Sequence, residues 1–168
     1  MNLEIERKFL VKNDSFKQES YNKTYIKQGY LNSNEKRVVR VRITNTKAFL
    51  TIKGKSNKEG TTRFEWEKSI SILDAEHLLL LCEPTLIEKT RFYVKKGKHT
   101  YEIDEFLGEN LGLVIAEIEL NSEDEKFEKP TWLGKEVTGD LKYYNSKISK
   151  HPFKNWSQKN LEQKFEEI

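Results

Sequence analysis

Apolar and polar residues alternate along most of the first 120 residues, and a period of two is typical of strands with one apolar and one polar face. Turn-like stretches rich in Asn, Ser, Gly and Lys separate the alternating segments, as expected of antiparallel hairpins. The pattern predicts eight strands: Leu3–Val11, Thr24–Leu31, Arg37–Ile43, Ala48–Lys53, Thr61–Ile72, Ile87–Val94, Thr100–Phe106 and Val114–Leu120.

Two segments between these strands have helical character instead. A short helix is predicted over Asp14–Ser20, capped by Asn13 or Asp14. A strongly apolar helix is predicted over Asp74–Cys82, opened by Asp74 and ending before Pro84. Both would pack against the strands from outside.

The C-terminal part of the chain is also helical in character, from Gly139 onward, with a break at His151–Pro152. Its last piece predicts a docking face, with apolar residues at roughly helical spacing: Trp156, Leu161, Phe165 and Ile168. No repeat, low-complexity segment or linker divides the chain. We therefore expect one domain over residues 1–168, with the strands at about 2–120 and closing and docking helices at about 131–168.

Composition excludes several classes of protein. Charged residues make up 34% of the chain, but the formal net charge is only +3, which does not predict nucleic-acid binding by bulk electrostatics. The only cysteine is Cys82, so neither an intramolecular disulfide nor a cysteine metal cluster can form. The N-terminus lacks the pattern of a signal peptide, and no apolar stretch approaches the ~20 residues that span a bilayer. We expect a cytoplasmic protein with no membrane or nucleic-acid partner.

Like charges recur at positions i and i+2, so that both members of each pair share one face of a strand. The acidic pairs are Glu4 with Glu6, Glu65 with Glu67, Glu102 with Asp104, and Glu117 with Glu119. The basic pairs are Arg40 with Arg42 and Lys89 with Arg91. Lys8 shares a face with Glu4 and Glu6, Arg63 shares one with Glu65 and Glu67, and Lys53 adds a single cation.

A sheet with one solvent-exposed face would show the same alternation of apolar and polar residues, and an isolated pair of like charges more often lies on the solvated surface than in a binding site. Here the pairs are sorted by sign, and the opposite faces are rich in Ile, Val, Phe, Leu and Trp. We therefore predict a mainly β (α+β) fold: an eight-stranded antiparallel closed β-barrel, or tunnel, with a charged lumen. A few helices would cover its apolar exterior and one end.

So many charges cannot leave water without partners. A polyanion bridged to divalent cations would supply both kinds of partner. Arg and Lys bind phosphate oxygens, and carboxylates are the hard oxygen ligands that Mg²⁺ or Mn²⁺ prefers. The lumen is therefore predicted to hold a polyanion with Mg²⁺ or Mn²⁺.

The segment Glu4-Ile5-Glu6-Arg7-Lys8 resembles the E-x-E-x-K signature of CYTH-domain proteins, also called triphosphate tunnel metalloenzymes. The motif is short, but later segments match the family in order across nearly the whole chain. They are Gln28-Gly29-Tyr30-Leu31, Val39-Arg40-Val41-Arg42, Leu50-Thr51-Ile52-Lys53-Gly54, Arg63-Phe64-Glu65-Trp66-Glu67, Glu88-Lys89-Thr90-Arg91, Glu102-Ile103-Asp104, Leu113 to Glu119, and Trp132 to Thr138.

The resemblance implies roles for the lumen residues. The metal ligands would be Glu4, Glu6, Glu117 and Glu119, with Glu67 and Asp104 nearby. The triphosphate would be held by Arg40, Arg42, Lys53, Lys89 and Arg91, to which the lumen pattern adds Arg63. Lys8 would act in catalysis with Glu4 and Glu6, by contacting the terminal phosphate or placing the attacking water. Glu65, Glu102 and Tyr30 are further candidates, and Tyr144-Asn145-Ser146 is similar to the segment that closes one tunnel end in relatives.

Relatives of this family divide among several activities. The absence of a base-reading element favours hydrolysis of inorganic tripolyphosphate to pyrophosphate and phosphate. Thiamine or nucleoside triphosphate hydrolysis ranks second, and class IV-type adenylate cyclisation third. A non-enzymatic module that binds polyphosphate or a phosphorylated ligand is the alternative from a different class. The apolar outer face leaves a homodimer open.

Overall fold

The computed structural model describes residues 2–156, so the predicted docking positions Leu161, Phe165 and Ile168 lie outside the described residues. Within that range the chain forms one nine-stranded antiparallel sheet. Its strands are β1 (Leu3–Val11), β2 (Asn22–Asn32), β3 (Arg37–Thr44), β4 (Lys47–Gly54), β5 (Thr62–Ile70), β6 (Ile87–Lys96), β7 (His99–Phe106), β8 (Val114–Glu119) and β9 (Leu133–Glu136). All eight predicted strands are confirmed; β9 was not predicted.

The first eight strands close into a barrel. Their order is β5-β4-β3-β2-β6-β7-β8-β1, and β1 then pairs with β5 to complete the ring. The closing register places Leu3 opposite Phe64 and Glu4 opposite Arg63. β1 pairs with β5 near its start and with the short β9 near its end. Closure leaves no unpaired edge in this ring of eight strands.

Apolar side chains cover most of the exterior, as the alternation predicts. The helices are α1 (Phe16–Glu19), α2 (Ile72–Leu80) and α3 (Asn145–Ile148). Phe16 of α1 packs with Trp132 in a cluster of buried residues on the outer face of the barrel. Ala75 and Leu79 of α2 pack in a second outer cluster with Val41 of β3.

Within residues 2–156, no helix covers one part of the outer face. Leu3, Ile52, Phe64 and Trp66 are between 37% and 53% exposed. The register joins them into one patch, with Leu3 opposite Phe64 and Ile52 opposite Trp66. The homodimer stays a prediction that this patch motivates.

The lumen changes from charged to apolar toward one end. Six residues of a single buried cluster each lie two positions from a polar or charged lumen residue on their strand: Leu10, Tyr30, Val38, Ile87, Phe106 and Ile115. The C-terminal segment completes this cluster with Tyr143, Ile148, Phe153 and Trp156. The barrel is therefore sealed at this end by apolar packing.

The structure corrects the predicted helix starts. α2 begins at Ile72, and Ser71 caps it by accepting a hydrogen bond from the Asp74 backbone N–H at 3.0 Å, so Asp74 lies in the first turn and is not the cap. α1 is shorter than predicted, with Ser15 at its N-cap position and no cap bond from the Ser15 side chain. Asn13 Oδ1 accepts a hydrogen bond from the Ser15 backbone N–H at 3.0 Å, just before the helix.

The C-terminal helical region is made of short pieces. α3 lies between two 3-10 turns, Leu141–Tyr143 and Phe153–Asn155. A further 3-10 turn, Gly108–Asn110, precedes β8. Within residues 2–156, no helix has the length and apolar character needed to cross a bilayer.

Candidate functional site

The lumen contains a cavity lined by cations from five strands. All six predicted phosphate-binding residues and Lys8 line it: Arg40, Arg42, Lys53, Arg63, Lys89 and Arg91. Two acids, Glu6 and Glu117, line the same cavity. The cavity therefore has a large excess of positive charge, which suits an anion with several negative charges.

Two arginine nitrogens in this cavity have no hydrogen-bond partner among the described residues. They are Arg40 Nε and Arg63 Nη1, and both are buried. Buried donors are almost always paired, because an unpaired one loses its bonds to water without replacement. An anion in the cavity would supply the missing acceptors.

The other cations are held by specific acceptors. Arg91 donates to both oxygens of Asp104 at 2.7 and 2.9 Å. Burial lowers the pKa of Lys89 to about 7, although Asp104 opposes the shift. Burial, together with Arg40 and Arg91, lowers the pKa of Arg42 to about 9. The cations repel one another and are only partly neutralised, which favours a bound anion.

Four acids lie next to the cationic cavity on β1 and β8. Glu6 lies opposite Glu119, and Glu117 lies opposite Lys8. Burial, followed by the charges of Glu117 and Glu4, raises the pKa of Glu6 to about 8. Burial and the charge of Glu4 also raise the pKa of Glu119. These carboxylates destabilise one another when they are all ionised.

The remaining two acids of this group are neutralised by cations. Burial would raise the pKa of Glu117, but the charges of Lys8, Arg91 and Lys89 together outweigh it and lower the pKa to about 2. Burial of Glu4 is likewise outweighed by Lys53, whose Nζ donates to both carboxylate oxygens at 2.9 and 3.2 Å. Lys8 and Lys53 therefore offset part of the negative charge beside Glu6.

This donor set fits a divalent cation, because hard oxygen ligands with excess negative charge bind Mg²⁺ or Mn²⁺. Among residues 2–156, no Lys or Arg forms an ion pair with Glu6. In the same range, no three acidic, His or Cys side chains are already grouped closely enough to hold one ion. The metal site is therefore indicated by the mutual repulsion of the carboxylates, and not by a set of side chains already arranged as metal ligands.

Two other predicted metal ligands lie among the cations. The carboxylate of Asp104 is bound by Arg91 and lies 2.7 Å from Lys89 Nζ. Burial would raise its pKa, but these two cations lower it well below the ordinary range. Glu67 accepts a hydrogen bond from Thr51 Oγ1 at 2.8 Å and lies 3.6 Å from Arg40. Asp104 and Glu67 are thus both paired with cations, although Asp104 is close enough to Glu117 for its charge to act on the Glu117 pKa.

The two acids named only as further candidates are only partly buried. Glu65 lies 3.8 Å from Lys53, and burial raises its pKa. Glu102 lies opposite Glu117 in the β7–β8 register and 3.5 Å from Arg91. Glu65 and Glu102 thus lie beside the four acids of β1 and β8, but they do not line the cavity that contains the cations.

Lys8 and Tyr30 are both buried in the lumen. Lys8 Nζ lies 3.6 Å from Glu117, 3.5 Å from the Tyr143 carbonyl oxygen and 4.7 Å from the centre of the Tyr144 ring. The Tyr30 hydroxyl accepts a hydrogen bond from Gln28 Nε2 at 3.2 Å. Lys8 therefore lies between the acid group and the segment that seals the barrel.

Sequence reasoning gave no binding role to several polar residues of this site. Gln28 and Thr51 are fully buried and lie two positions from Tyr30 and Lys53, so the same alternation could have identified them. Asn145 also lines the cavity, together with Tyr144 and Ser146. These three follow the last strand, where no period-two pattern predicts which side chains face the lumen.

Known proteins resemble this chain along most of its length. Residues 2–152 match the CYTH domain. An inorganic triphosphatase of Acetivibrio thermocellus is 46% identical over 94% of this chain and 100% of its own length. An inorganic triphosphatase of Nitrosomonas europaea is 35% identical, over 87% and 96%. A crystal structure of an inorganic triphosphatase superposes with a TM-score of 0.63 and 32% identity, over 89% of this chain and 95% of that one.

Proposed function

Because the chain belongs to the CYTH domain family, we propose that it is a divalent-metal-dependent hydrolase that converts inorganic tripolyphosphate to pyrophosphate and phosphate. The observation that carries the proposal is the pair of unpartnered buried arginine nitrogens, Arg40 Nε and Arg63 Nη1, in a cavity beside four carboxylates. The relatives that are named inorganic triphosphatases support the same substrate.

The cations of the cavity would bind the phosphate chain. Arg40 and Arg63 offer donors without partners, and Arg42, Lys53, Lys89 and Arg91 surround the same space. Phosphoryl transfer requires mainly positioning and neutralisation of charge. These side chains would stabilise the charge that develops on the pyrophosphate leaving group.

Glu4, Glu6, Glu117 and Glu119 would hold Mg²⁺ or Mn²⁺. A bound divalent ion would polarise the phosphate oxygens and lower the pKa of a water molecule. Lys8 lies opposite Glu117 in the β1–β8 register, so its ammonium would contact the terminal phosphate or orient the attacking water. We assign Asp104 and Glu67 to orienting the phosphate-binding cations. Asp104 pairs with both Lys89 and Arg91, and one oxygen of Glu67 accepts from Thr51 and lies 3.6 Å from Arg40.

The shape of the lumen favours an inorganic substrate. The sealed end is filled by apolar side chains and by Tyr143, Phe153 and Trp156, which leave no room there for an organic group.

One observation favours the alternative substrate, an organic triphosphate. Phe49 and Tyr93 line a separate cavity with Arg42, Arg91 and Glu67. A base or thiazolium ring could stack there while its triphosphate enters the lumen.

A panel assay tests the proposal. Phosphate and pyrophosphate release is measured from tripolyphosphate, thiamine triphosphate and ATP, each with Mg²⁺, Mn²⁺ or EDTA, and cyclic AMP is assayed in parallel. We expect fast, metal-dependent turnover of tripolyphosphate and weak turnover of ATP. Preferred turnover of an organic triphosphate would support the cavity at Phe49 and Tyr93, and binding without any turnover would support the non-enzymatic module.

The cellular setting is also part of the proposal. A cytoplasmic location and the absence of a nucleic-acid partner remain predictions from composition. A homodimer formed through Leu3, Ile52, Phe64 and Trp66 is likewise a prediction. Light scattering of the protein and of Trp66→Lys would measure the oligomeric state.

A further inference from the structure

Asn145 places its side-chain amide in the barrel lumen, although it is the first residue of α3 in the segment that seals the barrel. Its Oδ1 accepts a hydrogen bond from Lys89 Nζ at 2.9 Å and another from Gln28 Nε2 at 3.2 Å. Lys89 and Gln28 are strand residues with exposures of 1% and 0%. A residue outside the barrel strands thus contacts two fully buried residues of the barrel interior.

The orientation of both amides follows from their cationic neighbours. Lys89 carries only donors, so the atom of Asn145 that faces it is the carbonyl oxygen. Arg42 also carries only donors, and its Nε donates to Gln28 Oε1 at 2.8 Å. This turns the Gln28 NH₂ group toward Asn145. Two of the phosphate-binding cations, Lys89 and Arg42, are therefore connected through Gln28 and Asn145.

These contacts determine which way the Lys89 ammonium faces. Asp104 Oδ2, at 2.7 Å, and Asn145 Oδ1 take two of its three N–H groups. The third N–H is left for the cavity that Lys89 lines. Within residues 2–156, no atom accepts a hydrogen bond from Asn145 Nδ2. Asn145 itself lines the same cavity.

We propose that Asn145 is a positioning residue for phosphate binding. Its carbonyl group holds Lys89, and through Gln28 also Arg42, in the directions that meet a phosphate chain. The inference rests on the proposed function, since it takes the lumen to bind a triphosphate. A purely structural Asn145 would only tether the C-terminal segment, and its loss would then lower stability without changing phosphate binding.

The first test replaces the amide by an apolar group of similar size, in Asn145→Leu. Hydrogen bonds to charged groups are worth about ten- to a hundredfold in affinity. We expect the KM for tripolyphosphate to rise by about tenfold or more, with kcat changed by no more than about threefold. Calorimetry of tripolyphosphate binding in EDTA should show the same loss. Asn155→Leu, at an exposed position of the same segment, should change neither quantity.

A double-mutant cycle separates positioning from tethering. If Asn145 acts through Lys89, Asn145→Leu should weaken binding much less in a Lys89→Met background than in the wild-type protein. Equal losses in the two backgrounds would overturn the inference. So would a folded Asn145→Leu protein whose KM and calorimetric affinity both stay within about twofold of the wild type.

Asn145→Ala covers the case in which the leucine variant does not fold. It removes both acceptor bonds without placing a larger apolar side chain beside Lys89. Binding in EDTA should fall by about tenfold, and unchanged binding by the folded protein would overturn the inference. Wild-type protein that binds tripolyphosphate without hydrolysing it would remove the proposed enzyme activity, while these binding tests would still decide the role of Asn145.

Discussion

The ammonium of Lys89 lies 2.7 Å from a carboxylate oxygen of Asp104, and both side chains are shielded from solvent, at 1% and 2% exposure. Arg91 binds the same carboxylate through two hydrogen bonds. One buried acid therefore compensates two buried cations. Removing one partner of such a group leaves an uncompensated charge, which typically costs about 3–5 kcal/mol.

Asp104→Asn is expected to lower the free energy of unfolding by about 3 kcal/mol, because the amide cannot neutralise Lys89 or Arg91. Urea denaturation at neutral pH measures the change. The control is Glu105→Gln on the same strand, whose pair with Lys17 is partly exposed and should be worth at most about 1 kcal/mol. Equal losses in the two variants would contradict the assignment of Asp104 as an orienting counter-ion.

Glu6→Gln should lower metal-dependent turnover by about two orders of magnitude or more while leaving the barrel folded. The amide keeps the shape of the side chain but removes the charge that would attract Mg²⁺ or Mn²⁺. Turnover of tripolyphosphate and calorimetric binding of Mn²⁺ are the measurements. Glu76→Gln, on the exposed side of α2, is the matched control. A fully active Glu6→Gln protein would contradict the proposed metal site.

The raised pKa of Glu6 predicts how stability depends on pH when EDTA is present. Burial, Glu117 and Glu4 raise this pKa from 4.5 to about 8, so the folded protein binds the proton more tightly than the unfolded chain. The stabilising contribution is complete below pH 4.5 and is lost as the pH rises toward about 8. One such group changes the free energy of unfolding by at most about 1.4 kcal/mol per pH unit.

Glu6→Gln isolates this contribution, because the amide does not titrate. Between pH 5 and 7.5, the midpoint temperature of the wild-type protein in EDTA should fall relative to that of Glu6→Gln. Added Mg²⁺ should reduce the fall, since an ion stabilises the ionised carboxylate. Parallel curves for the two proteins would show that Glu6 ionises normally.

The strands, and the grouping of like charges in the lumen, can be predicted from the local sequence pattern alone. Period-two alternation identified all eight barrel strands and put Glu6, Lys8 and Arg40 on the inner face, because a strand can bury either face but must alternate. The short β9 has only four residues, Leu133–Glu136. It is too short to show a period, and it is a strand because it pairs with the end of β1.

The partners within the site could not be predicted from periodicity. Alternation indicates which face Asp104 and Glu6 share, but the relative tilt of the strands decides their neighbours. Asp104 therefore looked equivalent to the other acids in the sequence, yet it pairs with Lys89 and Arg91. The contact of Asn145 with Lys89 joins positions 56 residues apart, and no local signal encodes it.

Tripolyphosphate should stabilise the protein even in EDTA, because it would pair with the buried donors Arg40 Nε and Arg63 Nη1. At about 100 times the dissociation constant, the gain is about 2.7 kcal/mol. Arg40→Met should remove most of this gain, whereas Arg37→Met, at the exposed start of the same strand, should keep it. Thermal unfolding with increasing tripolyphosphate measures both. Equal stabilisation of the two variants would contradict anion binding at Arg40.

The contact between Gly60 and Gly139 joins the loop before β5 to the turn that precedes the sealing segment. Gly60 has a φ of +79°, and a Cβ added there would lie 2.3 Å from the Gly139 Cα atom. Gly97 has a φ of +63°, but a Cβ there would meet nothing within 4 Å. The two positions thus share a left-handed backbone and differ in the space around it.

Gly97→Ala should cost about 1 kcal/mol, the usual penalty of a left-handed alanine. Gly60→Ala should cost clearly more, about 3 kcal/mol or above, because backbone must also move. That movement would shift Tyr144, whose ring lies 4.7 Å from Lys8 Nζ, so turnover of tripolyphosphate should fall as well. Urea denaturation and steady-state kinetics of the two variants check this. Equal losses of stability, or normal turnover by Gly60→Ala, would mean that the loop and the sealing segment are not coupled through this contact.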